Sequence, residues 1–106
     1  MGLDFLHKVN DHAGAAIYLL HNGSSFQERQ FESYKVELQK HTKKQIQTFS
    51  SREGNGAKLA DFYDILEDKL PAVLIIRDTD ELAGQWYGVQ LPLARDVAYH
   101  ADRVSG

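Results

Sequence analysis

Two short and almost wholly apolar runs, Ala15–Leu20 and Ala72–Ile76, do most to limit what this chain can become. Each has the length of a strand and falls short of an ordinary helix, and neither alternates polar with apolar residues. Such a run reads as a strand buried on both faces, and a strand of that kind needs helices packed over both sides of its sheet. The rest of the chain must therefore supply helices of one-sided apolarity, and the spacing of its apolar residues does so.

After the first run, Ser25 and Glu28 stand in the S-x-x-E pattern of a capping box, which satisfies two orphan N–H groups where a helix begins. Phe31, Tyr34 and Leu38 share one face of that helix, and Lys40–Lys44 puts positive charge where a helix C-terminus favours it. Gln45–Ser50, with Ile46, Thr48 and Phe49, reads as a second and less buried strand. Glu53-Gly54-Asn55-Gly56 breaks the chain. Leu59, Phe62, Tyr63 and Leu66 then recur at i, i+3, i+4 and i+7, which predicts a helix over Ala57–Lys69. Beyond Ala72–Ile76, Asp78-Thr79-Asp80-Glu81 has turn chemistry, and Ala83–Tyr87 returns as an antiparallel partner ended by Gly88. Pro92 suits a first helical turn, and Leu93, Val97, Ala101 and Val104 give a last amphipathic helix. At the other end Leu3, Leu6 and Val9 predict a short helix closing between Asp11 and Gly14. The expected order is α-β-α-β-α-β-β-α, one domain over residues 1–106. It makes an α/β fold with a mixed four-stranded sheet, β-α-β followed by β-β-α, an extra N-terminal helix, and helices on both faces.

Composition narrows the function classes. A chain of 106 residues with 42% hydrophobic and 25% charged residues can bury one real core. Its net charge of −3 and lack of a basic block argue against nucleic acid, whose phosphates call for dense Lys and Arg. The longest apolar run, Leu70–Ile76, is far too short to span a bilayer, so no membrane partner is expected. No cysteine is present, which suits a cytoplasmic chain.

The residues that could carry chemistry do not converge. His7, His12, His21, His41 and His100 sit on different elements without a paired ligand spacing, so no metal is expected. Asp78-Thr79-Asp80-Glu81 lacks the glycine and terminal glutamate of an EF-hand loop. Gly54-Asn55-Gly56 is followed by no Lys-Ser/Thr pair and is no phosphate loop. No cofactor is expected. A Ser24 hydroxyl could act as a nucleophile only beside a base such as His21, and no acid orients that histidine. Its simpler role, shared with Ser25 as the alternative, is to cap the helix.

The order of elements, their spacing and the Leu70-Pro71 pair at a strand entry resemble the thioredoxin-like superfamily over nearly the whole chain. Laid on that pattern, Ser24-Ser25-Phe26-Gln27 falls on the redox motif, with Ser24 and Gln27 at the two cysteine positions. Pro71 falls on the family's cis-proline and Gly88 on the glycine after the fourth strand. The departures are chemical. Both thiols are gone, Gly23 stands for the tryptophan before the motif, and Tyr18 stands for the buried acid of the first strand. Thiol–disulfide exchange needs a thiolate, so the resemblance implies a redox-inactive member and no enzyme. It implies an adaptor, chaperone or targeting module that engages a protein or peptide segment at Ser24, Ser25, Phe26, Gln27, Leu70, Pro71, Gly88 and Val89. Phe26 is either the apolar wall of that groove or part of the core edge. The alternative is a thiol-independent enzyme or small-ligand binder using the same groove, glutathione-like in its ligand and held by the Leu70 backbone and the helix N-terminus.

Overall fold

The structure, a computed structural model, describes residues 14–104. Four strands form one mixed sheet: β1 (Ala16–His21), β2 (Ile46–Ser50), β3 (Ala72–Ile76) and β4 (Leu82–Tyr87). Their spatial order is β2-β1-β3-β4. β1 runs parallel to β2, with Ile17 opposite Ile46, and antiparallel to β3, with Tyr18 opposite Leu74. β3 pairs antiparallel with β4, with Val73 opposite Trp86. Three helices accompany the sheet: α1 (Ser25–Gln39), α2 (Gly54–Phe62) and α3 (Ala94–Arg103). The helix expected around Leu3, Leu6 and Val9 lies outside the described residues.

The two apolar runs are the central strands, and their side chains part by the two-residue period. Ala16, Tyr18, Leu20, Leu74 and Ile76 face one way and meet Leu59 of α2, with Ile65 and Leu70. Ile17, Leu19, Val73 and Ile75 face the other way and meet Phe31 and Leu38 of α1 and Val97, Ala98 and Ala101 of α3. Every residue of β1 and β3 is buried. Sheet and helices thus form three layers, with α1 and α3 on one face and α2 on the other.

Local chemistry shifts several helix boundaries. The α1 cap is Ser24, not Ser25: its hydroxyl accepts from the Gln27 N–H at 3.2 Å. α1 ends at Gln39, so Lys40 is its C-cap and its last turn holds no basic residue. Thr42, two residues beyond the cap, donates to Asp102 at 2.6 Å and ties the end of α1 to α3.

α2 starts at Gly54, so Gly54-Asn55-Gly56 forms its first turn and does not merely break the chain. It stops at Phe62 because Asp64 takes a left-handed conformation, φ 56°. The Ile65 N–H reaches the Ala60 carbonyl (2.8 Å) and the Asp64 N–H the Asp61 carbonyl (3.2 Å), a Schellman closure with aspartate in glycine's usual place. This ends the expected Leu59–Leu66 stripe. Leu59 is fully buried, whereas Phe62 is 47% and Leu66 59% exposed, and a short 3-10 turn, Glu67–Lys69, leads on to β3.

The β3–β4 turn bonds the Asp80 N–H to the Arg77 carbonyl and the Arg77 N–H to the Glu81 carbonyl, with Asp80 at φ 71°. This is a type I turn closed by a left-handed residue. Pro92 precedes the α3 cap, Leu93, and so lies outside the first helical turn. Leu93 is 59% exposed and does not continue the Val97–Ala101 stripe.

Candidate functional site

The loop after β1 is built from its own side chains. The Asn22 N–H donates to Gln27 Oε1 (2.9 Å), the Gly23 N–H to His21 Nδ1 (3.0 Å), and the Ser24 N–H to Asn22 Oδ1 (2.9 Å). Gly23 makes the turn possible with φ 86°. Arg52, from the β2 side, donates from Nε to the Asn22 carbonyl (2.6 Å) and from Nη2 to Glu67 (2.7 Å), bracing the loop against the segment before Leu70. Of the amides from Asn22 to Glu28, only those of Ser25 and Phe26 have no acceptor among the described residues.

The eight candidate residues therefore divide. Ser24 spends its hydroxyl on the helix cap, and Gln27 is buried with its amide turned back into the loop. Leu70 is only 6% exposed and its side chain belongs to the core beneath α2. Its N–H donates to the Glu67 carbonyl at 3.1 Å, so that donor is already engaged. The Leu70–Pro71 bond is cis. The Gly88 N–H is shared between the carbonyls of Pro71 (2.9 Å) and Lys69 (3.2 Å), which seats the Gly88–Val89 corner on the proline loop. Gln30, one turn beyond Phe26, donates to the Val89 carbonyl at 2.9 Å and brings that corner against α1. Ser25, Phe26 and Val89 remain outward-facing. Phe26 is 68% and Val89 59% exposed, so Phe26 is not part of the core edge.

His21 Nδ1 accepts from the Gly23 N–H and the Ser24 hydroxyl from the Gln27 N–H, and no hydrogen bond joins Ser24 to His21 among the described residues. A small acidic ligand would find most loop donors already used. Among the described residues no group of three or more His, Cys, Asp or Glu could hold a metal ion, and no helix is long and apolar enough to cross a membrane.

A cleft of about 690 Å³ adjoins this surface, between α1 and the segment joining β4 to α3. Gln30, Tyr34 and His41 line one wall, and Leu91, Pro92 and Arg95 the other. The segment is tied to α1 twice, by Gln30 to Val89 and by the Tyr34 hydroxyl, which donates to the Pro92 carbonyl at 2.7 Å. Sequence reading missed the cleft. Its one available signal was that Gln30 and Tyr34 follow Phe26 at four-residue spacing along α1.

Two predictions arise from this geometry. Ser24→Ala should lower stability by about 1 kcal/mol while Ser25→Ala changes it by a few tenths at most, measured by urea unfolding. Equal effects would return the cap to Ser25. Burial and the nearby Asp96 carboxylate push the Tyr34 phenol far above its usual 10.0. Burial, Asp80 and Tyr18 do the same to Tyr63. Both phenols have folded values above the unfolded one, so their contribution to stability is complete below about pH 10 and is lost as pH rises beyond it. A spectrophotometric titration at 295 nm should show a late component that shrinks in Tyr34→Phe. An unchanged curve would contradict the half-buried Tyr34–Pro92 contact.

No protein-family model matches the sequence, and no curated protein sequence matches it. Solved structures do. The crystal structure of a designed protein matches with a TM-score of 0.67 and 13% identity, over 96% of this chain and 86% of the other. The solution structure of a thioredoxin from Thermus thermophilus matches with a TM-score of 0.57 and 14% identity, over 94% of this chain and 79% of the other. At such identities the likeness concerns the fold alone. The chain has a thioredoxin-like α/β fold. It carries no cysteine, so it holds that fold without the thiol pair.

Proposed function

We propose that this chain is a redox-inactive thioredoxin-like binding domain that engages a protein or peptide segment, as an adaptor, chaperone or targeting module. The observation that carries the reading is the outward Phe26 beside the outward Val89, over a loop whose polar groups are turned in upon themselves. Removing one such side chain from water contributes roughly 1.5–3 kcal/mol. A single exposed apolar residue needs no explanation, but Phe26 stands one turn before Gln30, which bonds to the carbonyl of the exposed Val89, and Leu93 is exposed at the cleft that Gln30 also lines. The partner would lie against Ser25, Phe26 and Val89, with Pro71 and Gly88 as the floor. It gains little from the Leu70 N–H, which is engaged, so apolar contact carries the binding rather than strand addition.

The test is capture from a lysate of the source cells by four immobilised forms. These are the unaltered chain, Phe26→Glu, Val89→Glu, and Val36→Glu as a control on an exposed apolar residue (53%) of the same helix. A protein retained by the unaltered chain and by Val36→Glu, and lost from the other two, is the expected result. Equal retention by all four, or by none, would remove the reading.

A further inference from the structure

Asparagine followed by glycine is chemically unstable, because a glycine nitrogen with no Cβ beside it is free to attack the asparagine carboxamide and expel ammonia. The chain holds two such pairs, Asn22-Gly23 and Asn55-Gly56. Their surroundings differ. Asn55 lies in the first turn of α2, where a side chain leans toward the helix N-terminus and so away from the nitrogen that follows it. Gly56 is buried there against the Ser50 carbonyl and has no room to shift toward Asn55.

Asn22-Gly23 is surrounded by groups that suit the reaction. Asn22 Oδ1 accepts from the Ser24 N–H at 2.9 Å, an Asx turn that folds the carboxamide over Gly23 and closes its carbon and the Gly23 nitrogen into one ring. The Gly23 N–H, whose proton must leave, donates to His21 Nδ1 at 3.0 Å, within reach of transfer to a base. The oxygen of the same peptide group, the Asn22 carbonyl, accepts from Arg52 Nε at 2.6 Å, and that cation favours the negative charge that deprotonation leaves on the amide. The Ser24 N–H already points at the oxygen on which an oxyanion forms. A base, a cation and an oxyanion donor thus converge on one dipeptide.

We propose that Asn22-Gly23 is a self-modifying site, which converts Asn22 to aspartate and isoaspartate while Asn55 persists. The Gly23 nitrogen passes its proton to His21 Nδ1 and bonds to Asn22 Cγ, with the charge taken up on Oδ1. That oxyanion collapses, the Cγ–Nδ2 bond breaks, and ammonia leaves with the proton returned by His21. Water then opens the resulting succinimide at Cγ to give aspartate, or at the main-chain carbonyl to give isoaspartate. The isoaspartyl product lengthens the backbone by one methylene between β1 and the Ser24 cap, so the change acts on the entry to α1. The reaction is separate from the Phe26–Val89 border and does not depend on what binds there.

Incubation of the full chain near neutral pH tests it, with proteolytic peptides weighed by mass spectrometry to follow conversion at each asparagine. Each rate is divided by the rate of the same site in the urea-unfolded chain. The expected ratio at Asn22 exceeds that at Asn55 by about tenfold or more, and His21→Phe lowers it about tenfold. Arg52→Met lowers it about threefold, through loss of one charged hydrogen bond at the surface. Circular dichroism establishes whether His21→Phe is folded. If it is not, the exposed Arg52 carries the test, since its substitution leaves the core intact. A ratio at Asn22 no higher than at Asn55 would overturn the proposal. So would an unchanged ratio in folded His21→Phe, or in Arg52→Met where only that variant folds.

Discussion

Gly56→Ala should cost about 3 kcal/mol or more, although it adds a single methyl group. A Cβ on Gly56 would lie 1.7 Å from the Ser50 carbonyl oxygen and 2.5 Å from its carbon, so it meets backbone rather than a side chain that can turn aside. The first turn of α2 rests directly on the end of β2, and the methyl can fit only by parting the two. For a domain of this size the midpoint should fall by roughly 12 °C or more. Gly54→Ala gives the contrast. Nothing lies within 4 Å of its Cβ position, and its φ of 54° is the only obstacle. The left-handed backbone alone costs about 1–2 kcal/mol. Thermal unfolding of both variants should therefore separate steric from conformational cost. Equal shifts would mean that α2 does not sit on β2 as described.

Phe31→Ala should cost about 3–5 kcal/mol, a large share of the stability expected for a single domain. Phe31 is fully buried in the layer shared by α1, α3 and the sheet, and its ring lies 6.3 Å from that of His21 and 6.4 Å from that of Tyr34. Truncation opens a cavity bounded by β1, whose backbone cannot move inward without breaking its ladders to β2 and β3. Phe26→Ala, five residues earlier on the same helix, should stay within about 0.5 kcal/mol because its ring is in water. Chemical denaturation of the pair reads the difference directly. A small effect for Phe31 would contradict the layer assignment of α1.

These two phenylalanines also show where the sequence could be read and where it could not. The sheet was legible because β1 and β3 are uninterrupted apolar runs, and a run buried on both faces leaves little choice of element. Its division into a β-α-β unit and a hairpin followed from the turn at Asp78–Glu81 and from helices of connecting length, whereas the strand order β2-β1-β3-β4 was not read from the sequence. Boundaries set by backbone chemistry were not legible. Asp64 ends α2 in a left-handed conformation that a glycine would have announced. Gly56 is required by the approach of Ser50, a contact between elements that no spacing rule expresses. Ser24 and Ser25 are equivalent as caps until the chain enters the helix, and the Asn22 turn decides between them.

That the candidate segments adjoin one another was legible, and the state of their side chains was not. Alignment of the elements put Ser24–Gln27, Leu70-Pro71 and Gly88-Val89 side by side, and hydrogen bonds from Gly88 and Gln30 join the last two to each other and to α1. That Gln27 turns inward and Leu70 supports the core, leaving Phe26 and Val89 outside, depends on side-chain packing that single-residue chemistry cannot rank. The cleft along Gln30, Tyr34 and His41 escaped for the same reason: its second wall comes from a segment 50 residues or more away in sequence, at Leu91–Arg95.

Binding through Phe26 is best tested by putting a photoreactive group there. Benzoylphenylalanine would replace Phe26 in one sample and Phe62, exposed on α2 across the sheet, in another. After irradiation in lysate, a discrete adduct at position 26 that is missing at position 62, and that unlabelled chain competes away, is the expected result. The same adducts at both positions, or none at position 26, would show that the border of Phe26 and Val89 meets no partner.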